Sequence, residues 1–386
     1  MRNRSIAIAV LILCCGAVPL AGQQPCPSLS VVVNSPEDQL LLAVNGATDS
    51  PQDQLAALDK YSAEHANSPA MTCVNEYYTA IYVKQNAFDK AISYGEKDLT
   101  ANYGDVNLYI NLMKAYVGAG TATDNAFSVI AKAPEVIKAE STPARPSGTS
   151  DADYQKLQAD AAETAKQYSG YMEYAFFQLL PRVTDANKRV QYLDTFAKAY
   201  PDSPNAGQLN FQYLLAYSAL NNPAKANEYG EKAIAADPNN PTTLGMIADD
   251  YANRHVNLDK AESYAHKVLD LVPNMKKPDG VSDADFRTQQ NLLLASAHFT
   301  LGSVAQQRGA ATRKMAGAIK EFKTAADLAK GNPGLQGRAL YYLGFAYEST
   351  APADHHGARA ALTEAAQLQS PWQGEAQKLL AKIPQQ

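Results

Sequence analysis

The sequence predicts an all-α protein built from stacked, antiparallel helix pairs. Three observations indicate this fold. Apolar residues recur at helical spacing, small residues alternate with tyrosines among them, and prolines stand where successive pairs end. The clearest unit spans residues 207–240 and closes at Pro238. Its first helix carries Tyr213, Leu214 and Tyr217 on one side, and its second helix carries Ala226, Gly230 and Ala233.

The first 24 residues have the pattern of an export signal. Arg2 and Arg4 precede an apolar run at residues 6–13, and small residues follow up to Ala21. This run is shorter than the ~20 residues of a membrane-spanning helix. We therefore expect a signal peptide at residues 1–24 and an exported mature chain in a bacterial periplasm. An uncleaved membrane anchor is the alternative.

The cysteines fit an oxidising compartment. Residues 25–35 form an N-terminal tail that carries Cys26, and Cys73 is the only other cysteine beyond the signal. Two such thiols favour a disulfide between Cys26 and Cys73, with a buried free thiol at Cys73 as the alternative. A lipid on Cys14 or Cys15 is a further alternative, although neither follows the small residue that normally precedes a lipidated cysteine.

Residues 36–141 are expected to form N-terminal repeats. Prolines open two predicted helices at 36–44 and 51–64, and Tyr78 and Tyr82 mark the first helix of the next pair. A stretch rich in proline and glycine follows at 142–150. Such a composition cannot lie inside a helix, so we expect a loop or hinge there.

Residues 151–371 are expected to hold the central and C-terminal repeats. A long helix is predicted from Asp151 to the residue before Pro181. Clear pairs follow at 207–240, 241–274 and 334–371, and residues 274–285 interrupt them as a loop.

Residues 372–386 are expected to form a capping helix and tail. Leu379, Leu380 and Ile383 would lie on one side of this helix. The last repeat of a stack exposes an apolar face, and a helix of this kind would cover it.

Together these positions resemble the tetratricopeptide repeat family. The resemblance covers most of residues 36–371 in ~7 units, is weak between 120 and 200, and lacks the family's tryptophan throughout. It implies a right-handed superhelical solenoid of antiparallel helix pairs. The residues that carry it are the small Ala226, Ala248 and Gly344, the tyrosines Tyr82, Tyr217, Tyr251 and Tyr347, and the prolines Pro238, Pro273 and Pro371.

The resemblance also implies where a partner would bind, because the first helices of such arrays line a concave groove. Exposed aromatics there would anchor a peptide or a protein surface, and the alternative is that they pack against neighbouring helices. Phe299 is expected at an exposed groove position as well. The principal candidates are Phe211, Leu215, Tyr341, Phe345, Arg338, Asp249 and Lys114.

No motif in the chain indicates catalysis. Phosphate-binding loops, nucleophile elbows and zinc-protease helices are missing, and the six histidines lack ligand spacing. A net charge of −5 without a basic block argues against nucleic acid. We therefore expect no enzyme activity, no cofactor, no metal and a mature chain that does not span a membrane.

The function predicted from these patterns is that of a secreted, non-catalytic scaffold. It would bind a protein or an extended peptide in the groove of the array. Two alternatives stay open. The chain would be an outer-membrane-associated subunit of an envelope assembly machine, or it would bind a small ligand or glycan at a site between repeats.

Overall fold

The computed structural model describes residues 32–99 and 105–384 of the chain. The predicted signal peptide and Cys26 lie outside these residues. Helices account for most of the described residues, and no strand occurs among them. The described residues divide into two compact units, one ending at Ser203 and the other beginning at Pro204.

The first unit contains eight α-helices among its described residues. A loop at 141–150 separates the sixth helix from a seventh of 29 residues. The helices are α1 (Pro36–Gly46), α2 (Pro51–Glu64), α3 (Met71–Lys84), α4 (Phe88–Leu99), α5 (Val106–Ala119), α6 (Asp124–Glu140), α7 (Asp151–Leu179) and α8 (Ala186–Ala199).

The second unit contains nine α-helices among its described residues. Consecutive helices pack on each other across short connections, which makes them antiparallel pairs. The helices are α9 (Ala206–Ala219), α10 (Pro223–Ala236), α11 (Pro241–Asn253), α12 (Leu258–Leu271), α13 (Asp283–Gly309), α14 (Ala316–Leu328), α15 (Pro333–Ser349), α16 (His355–Gln367) and α17 (Gln373–Leu380). The predicted all-α array of helix pairs is confirmed.

Small residues let the paired helices approach closely. A methyl group added at Gly230 on α10 would overlap the side chain of Ile247 on α11, and one added at Gly344 on α15 would lie 2.5 Å from Leu362 Cγ on α16. Alanines fill the same role elsewhere, since Ala226 and Ala248 are buried. These four small residues therefore lie at contacts between helices.

Helices α3–α6 and α9–α12 are two copies of one four-helix element. Tyr-Gly-Glu-Lys stands at 94–97 and again at 229–232, 135 residues further along. The tyrosines of this element stack in the same way in both copies. Their ring centroids are 4.3 Å apart for Tyr78–Tyr94 and 4.2 Å apart for Tyr213–Tyr229. The turns correspond as well, because Asn86 and Asn221 both adopt positive φ.

A second repetition concerns the two longest helices. Both α7 and α13 begin with Ser-Asp-Ala-Asp, at 150–153 and 282–285. In each case the serine hydroxyl accepts a hydrogen bond from the backbone N–H of the second aspartate, at 3.2 Å in α7 and 3.1 Å in α13. A serine N-cap of this kind fixes the point where the helix starts.

Candidate functional site

The first helices of three successive pairs in the second unit, α11, α13 and α15, lie side by side. Helix α13 packs against both α11 and α15. Residues from all three helices therefore meet on one face. Four of the seven candidate residues lie on these helices, Asp249 on α11 and Arg338, Tyr341 and Phe345 on α15.

A charged cluster joins α15 to α11. Arg338 donates to both carboxylate oxygens of Asp249 at 3.0 Å, and its Nη2 also donates to Asn253 Oδ1 at 2.6 Å. Both charged side chains are mostly buried, with 19% and 24% of their surface exposed. The structure thus brings together two predicted groove residues that are 89 positions apart. Because Asp249 occupies the guanidinium, Arg338 is not free to hold a partner's carboxylate.

The expectation that Phe299 is an exposed groove residue is wrong. Phe299 on α13 is fully buried, and the Arg338 guanidinium carbon lies 3.9 Å from its ring centroid. The ring of Tyr342 packs edge-on against it at 5.3 Å. The aromatic face of Phe299 therefore stabilises the cation above it and offers no surface to a partner.

Next to this cluster is a pocket of about 360 Å³. It lies between the end of α11, the last turns of α13 and the middle of α15. Its most exposed apolar side chain is Phe345, with 43% of its surface accessible. The pocket is lined by Ala252, Asn253, His255, Ser303, Gln306, Gln307, Ala310, Tyr342 and Phe345.

Two glutamines on α13 give the pocket its polar character. Gln307 donates through Nε2 to the carbonyl oxygen of Ala252 at 2.6 Å, while its Oε1 is buried without a hydrogen-bond partner in the described part of the chain. The Nε2 of Gln306 is buried without a partner in the same sense. A buried polar group without a partner costs about 1–3 kcal/mol. One donor and one acceptor on residues that line this pocket are thus buried without a partner among the described residues.

The other apolar candidates are less accessible than Phe345. Phe211 on α9 is half-buried and packs against the core of the second unit, and Leu215 on the same helix is also half-buried. Tyr341 on α15 is turned toward the C-terminal helix, because its ring lies 5.2 Å from that of Trp372. Phe211, Leu215 and Tyr341 do not line the pocket beside Phe345.

Lys114 and Cys73 lie in the first unit. Lys114 on α5 is half-buried, and burial lowers the pKa of its ammonium group. Cys73 on α3 is disulfide-bonded and buried. The predicted partner, Cys26, lies outside the described residues, so the Cys26–Cys73 pairing stays a prediction.

Reasoning from the sequence singled out the exposed aromatics and missed the amides. Gln306, Gln307 and Asn253 carry no motif, and only the stacking of α11, α13 and α15 brings them together. A usable signal was present in the helical spacing of Phe299, Ser303 and Gln306, which places the three on one face of α13.

Two negative findings apply to residues 32–99 and 105–384. No group of three or more histidine, cysteine or acidic side chains is placed to hold a metal ion. No helix in these ranges has the length and apolar content needed to cross a membrane.

The packing of consecutive helices shows which fold the described residues adopt. The described residues form an all-α array of antiparallel helix pairs, and this arrangement is similar to that of tetratricopeptide-repeat proteins. No protein-family model and no curated protein matches it. Among solved structures, it is similar to TTC0263, a thermophilic tetratricopeptide-repeat protein of Thermus thermophilus. The identity is 17%, with 67% of this chain and 99% of that chain covered at a TM-score of 0.21.

Two further solved structures share this tetratricopeptide-type likeness. One is the APC/C hetero-tetramer Cut9-Hcn1, at 13% identity and a TM-score of 0.40, where the match covers 91% of this chain and 64% of that chain. The other is yeast Tom70, at 11% identity and a TM-score of 0.28, where it covers 90% and 96%. At these low scores, the fold rests on the helix pairs of the chain itself.

Proposed function

We propose that the second unit captures an extended polypeptide in the pocket beside Phe345. The observation that carries the proposal is an exposed aromatic ring next to two pocket-lining glutamines, one with a buried donor and one with a buried acceptor that lack partners among the described residues. A peptide backbone offers both a carbonyl acceptor and an N–H donor. The Gln306 Nε2 group would donate to the peptide carbonyl, and Gln307 Oε1 would accept from the peptide N–H. A partner side chain would pack on Phe345.

The Arg338–Asp249 pair argues for this mode over capture of a chain terminus. A groove that grips a terminal carboxylate needs cations with free donors. Here both guanidinium branches bind Asp249 at 3.0 Å, and the ring of Phe299 lies beneath them. We infer that the cluster fixes the spacing of α11 and α15 and that the partner is held along its backbone. In this role the chain acts as a non-catalytic scaffold.

A peptide array tests the proposal. The full chain is incubated with a library of extended peptides, and the best binder is titrated by fluorescence anisotropy. Phe345→Ala should weaken binding at least tenfold, since exposed anchors of this kind contribute about 1.4 kcal/mol or more. Gln306→Leu should weaken it several-fold, because the donor is lost while the size is nearly kept. Neither variant should change the melting temperature by more than a few degrees.

Tyr174→Ala is the matched control. Tyr174 on α7 is an aromatic residue of similar exposure, at 48%, and it lies in the other unit. The Tyr174→Ala variant should bind peptide with the same affinity as the parent chain. Equal affinity for the parent and for Phe345→Ala would overturn the proposal, and so would a loss of equal size in Tyr174→Ala.

We further propose that the mature chain works in an oxidising compartment outside the cytoplasm, a bacterial periplasm. The disulfide at Cys73 supports this location, because such bonds persist where thiols are not kept reduced. Cell fractionation, combined with thiol alkylation before and after reduction, tests it. A chain found in the cytoplasm with alkylatable Cys73 would contradict the proposal.

A further inference from the structure

The two copies of the four-helix element hold equivalent glutamates in different surroundings. In α9–α12, Glu231 accepts three hydrogen bonds. Tyr251 donates to Oε1 at 2.7 Å, Lys260 donates to Oε1 at 3.1 Å, and the phenol of Tyr264 donates to Oε2 at 2.9 Å. Both oxygens of this carboxylate are therefore occupied, the second of them by a phenol.

In α3–α6, the corresponding residue is Glu96. Among the described residues, its hydrogen-bond partners all bind one carboxylate oxygen, Oε1. Tyr116 donates to Glu96 Oε1 at 2.5 Å, and Asn125 donates to the same oxygen at 2.9 Å. These residues stand 135 positions before Tyr251, Glu231 and Lys260. No hydrogen bond from the described residues reaches Glu96 Oε2.

The position of Tyr264 is occupied by Val129 in the first copy. The correspondence is fixed by the buried side of each second helix. Ala126, Ile130 and Ala133 on α6 are buried as Ala261, Ala265 and Val268 are on α12, again at an offset of 135. Valine lacks the ring and the hydroxyl, so it cannot reach the carboxylate.

The missing ring corresponds to an open pocket. Its volume is about 160 Å³, similar to the roughly 150 Å³ of a cavity known to bind benzene. Its apolar lining residues are Leu99 and Val129, and its polar groups are a carboxylate, an ammonium group, an amide, a phenol and a hydroxyl. It is lined by Glu96, Leu99, Tyr109, Asn125, Ser128, Val129 and Lys132.

We propose that this pocket binds a phenol group supplied from outside the chain. The hydroxyl would donate to Glu96 Oε2, as Tyr264 donates to Glu231 Oε2, and the ring would pack on the partly exposed side chain of Leu99. The chain's own second copy thus shows the group that fits the first. The proposal goes beyond peptide capture by the second unit and does not depend on it, because all its residues lie in the first unit.

The ligand binds as the neutral phenol, since it must donate its proton to a carboxylate. Burial and the hydrogen bond to Glu231 raise the pKa of Tyr264 to about 12. A free phenol ionises near pH 10. Binding should therefore be constant up to about pH 9 and should fall above pH 10, where the free ligand becomes an anion without a proton to donate to Glu96. Lys132 also lines the pocket, but its charge does not replace that hydrogen bond.

The test uses 4-methylphenol, which reproduces the tyrosine side chain up to its β-carbon. Binding to the full chain is measured by saturation-transfer NMR and titration. We expect one site with a dissociation constant of about 1 mM or below, and at least tenfold weaker binding of toluene. Equal binding of the two compounds, or none of 4-methylphenol, would overturn the proposal.

Two substitutions give each copy the residue that the other copy has at this position. Val129→Tyr supplies the ring internally, so it should abolish 4-methylphenol binding. Tyr264→Val opens the equivalent place beside Glu231 and should raise the stoichiometry from one ligand to two. If Val129→Tyr still binds 4-methylphenol, or if the stoichiometry of Tyr264→Val stays at one, the proposal is wrong.

A phenol can come from a small molecule or from a tyrosine of a partner protein, and the same assay separates the two sources. N-acetyltyrosinamide carries the ring on a peptide backbone, and N-acetylphenylalaninamide is its control. Binding of the tyrosine compound at least as tight as that of 4-methylphenol identifies a protein side chain as the ligand. Binding of 4-methylphenol alone identifies a free phenolic compound.

Discussion

At the scale of single residues, Asp98 shows how burial makes stability depend on pH. This α4 side chain is fully buried, and neither carboxylate oxygen has a hydrogen-bond partner among the described residues. Burial, with a smaller contribution from Asp105, raises the pKa of Asp98 from 3.8 to about 7. The folded chain therefore holds this proton more tightly than the unfolded chain does. Stability is lost as pH rises from about 4 to 7.

Asp98→Asn removes the charge and nearly keeps the shape. The free energy of unfolding at pH 8 should rise by about 2 kcal/mol, and the gain at pH 5 should be clearly smaller. Urea unfolding at the two pH values measures both. Asp89→Asn, on the exposed side of the same helix, should show no gain at pH 8. A gain of equal size at both pH values would mean that the titration of Asp98 is not the cause.

At the scale of helices, packing decides whether a glycine is needed. Gly230 on α10 faces Ile247 so closely that an added methyl group would overlap it, while a methyl group at Gly170 on α7 meets nothing within 4 Å. Gly230→Ala should therefore destabilise the protein by about 1–3 kcal/mol through overpacking. Gly170→Ala should stabilise it by up to about 1 kcal/mol, because alanine favours a helix interior. Thermal unfolding of both variants compares the two, and a stabilising Gly230→Ala would contradict the packing argument.

The helices could be predicted from the sequence because their buried faces repeat at helical spacing. Tyr213, Tyr217 and Gly230 sit where that spacing places them. The site could be predicted only in part. Phe345 is exposed, but the pairing of Arg338 with Asp249 depends on how α11 and α15 pack, which local spacing does not determine. The offset of 135 residues was present in the sequence, yet a search for units of ~34 residues does not reveal it.

At the scale of the whole molecule, duplication explains how one chain obtains different surfaces from the same element. Helices α3–α6 and α9–α12 keep the stacked tyrosines, the glutamate and the glycine that sets helix spacing. They differ at a few exchangeable positions, such as Val129 and Tyr264. At this pair of positions the second copy supplies a hydrogen bond to its glutamate and the first copy does not.

An array of helix pairs also needs a cover at its end, and α17 supplies it. Ala376 and Ile383 are buried in the C-terminal core of the second unit, and Leu379 and Leu380 pack against that core. The indole of Trp372 contacts Tyr341 and Tyr342 at 5.2 and 5.4 Å. Removing part of this cover exposes the apolar face that the predicted capping helix was expected to bury.

Ile383→Ala tests the role of this cover. The substitution should lower the free energy of unfolding by about 2–4 kcal/mol, because it removes buried methylenes and leaves a cavity in the terminal core. Lys378→Ala is the matched control on the same segment. Its ammonium group is exposed and pairs with Glu375 on the surface, so its effect should stay within about 0.5 kcal/mol. Denaturant unfolding measures both. If the two variants lose equal stability, or if Ile383→Ala loses none, then the C-terminal segment rests on the array without stabilising it.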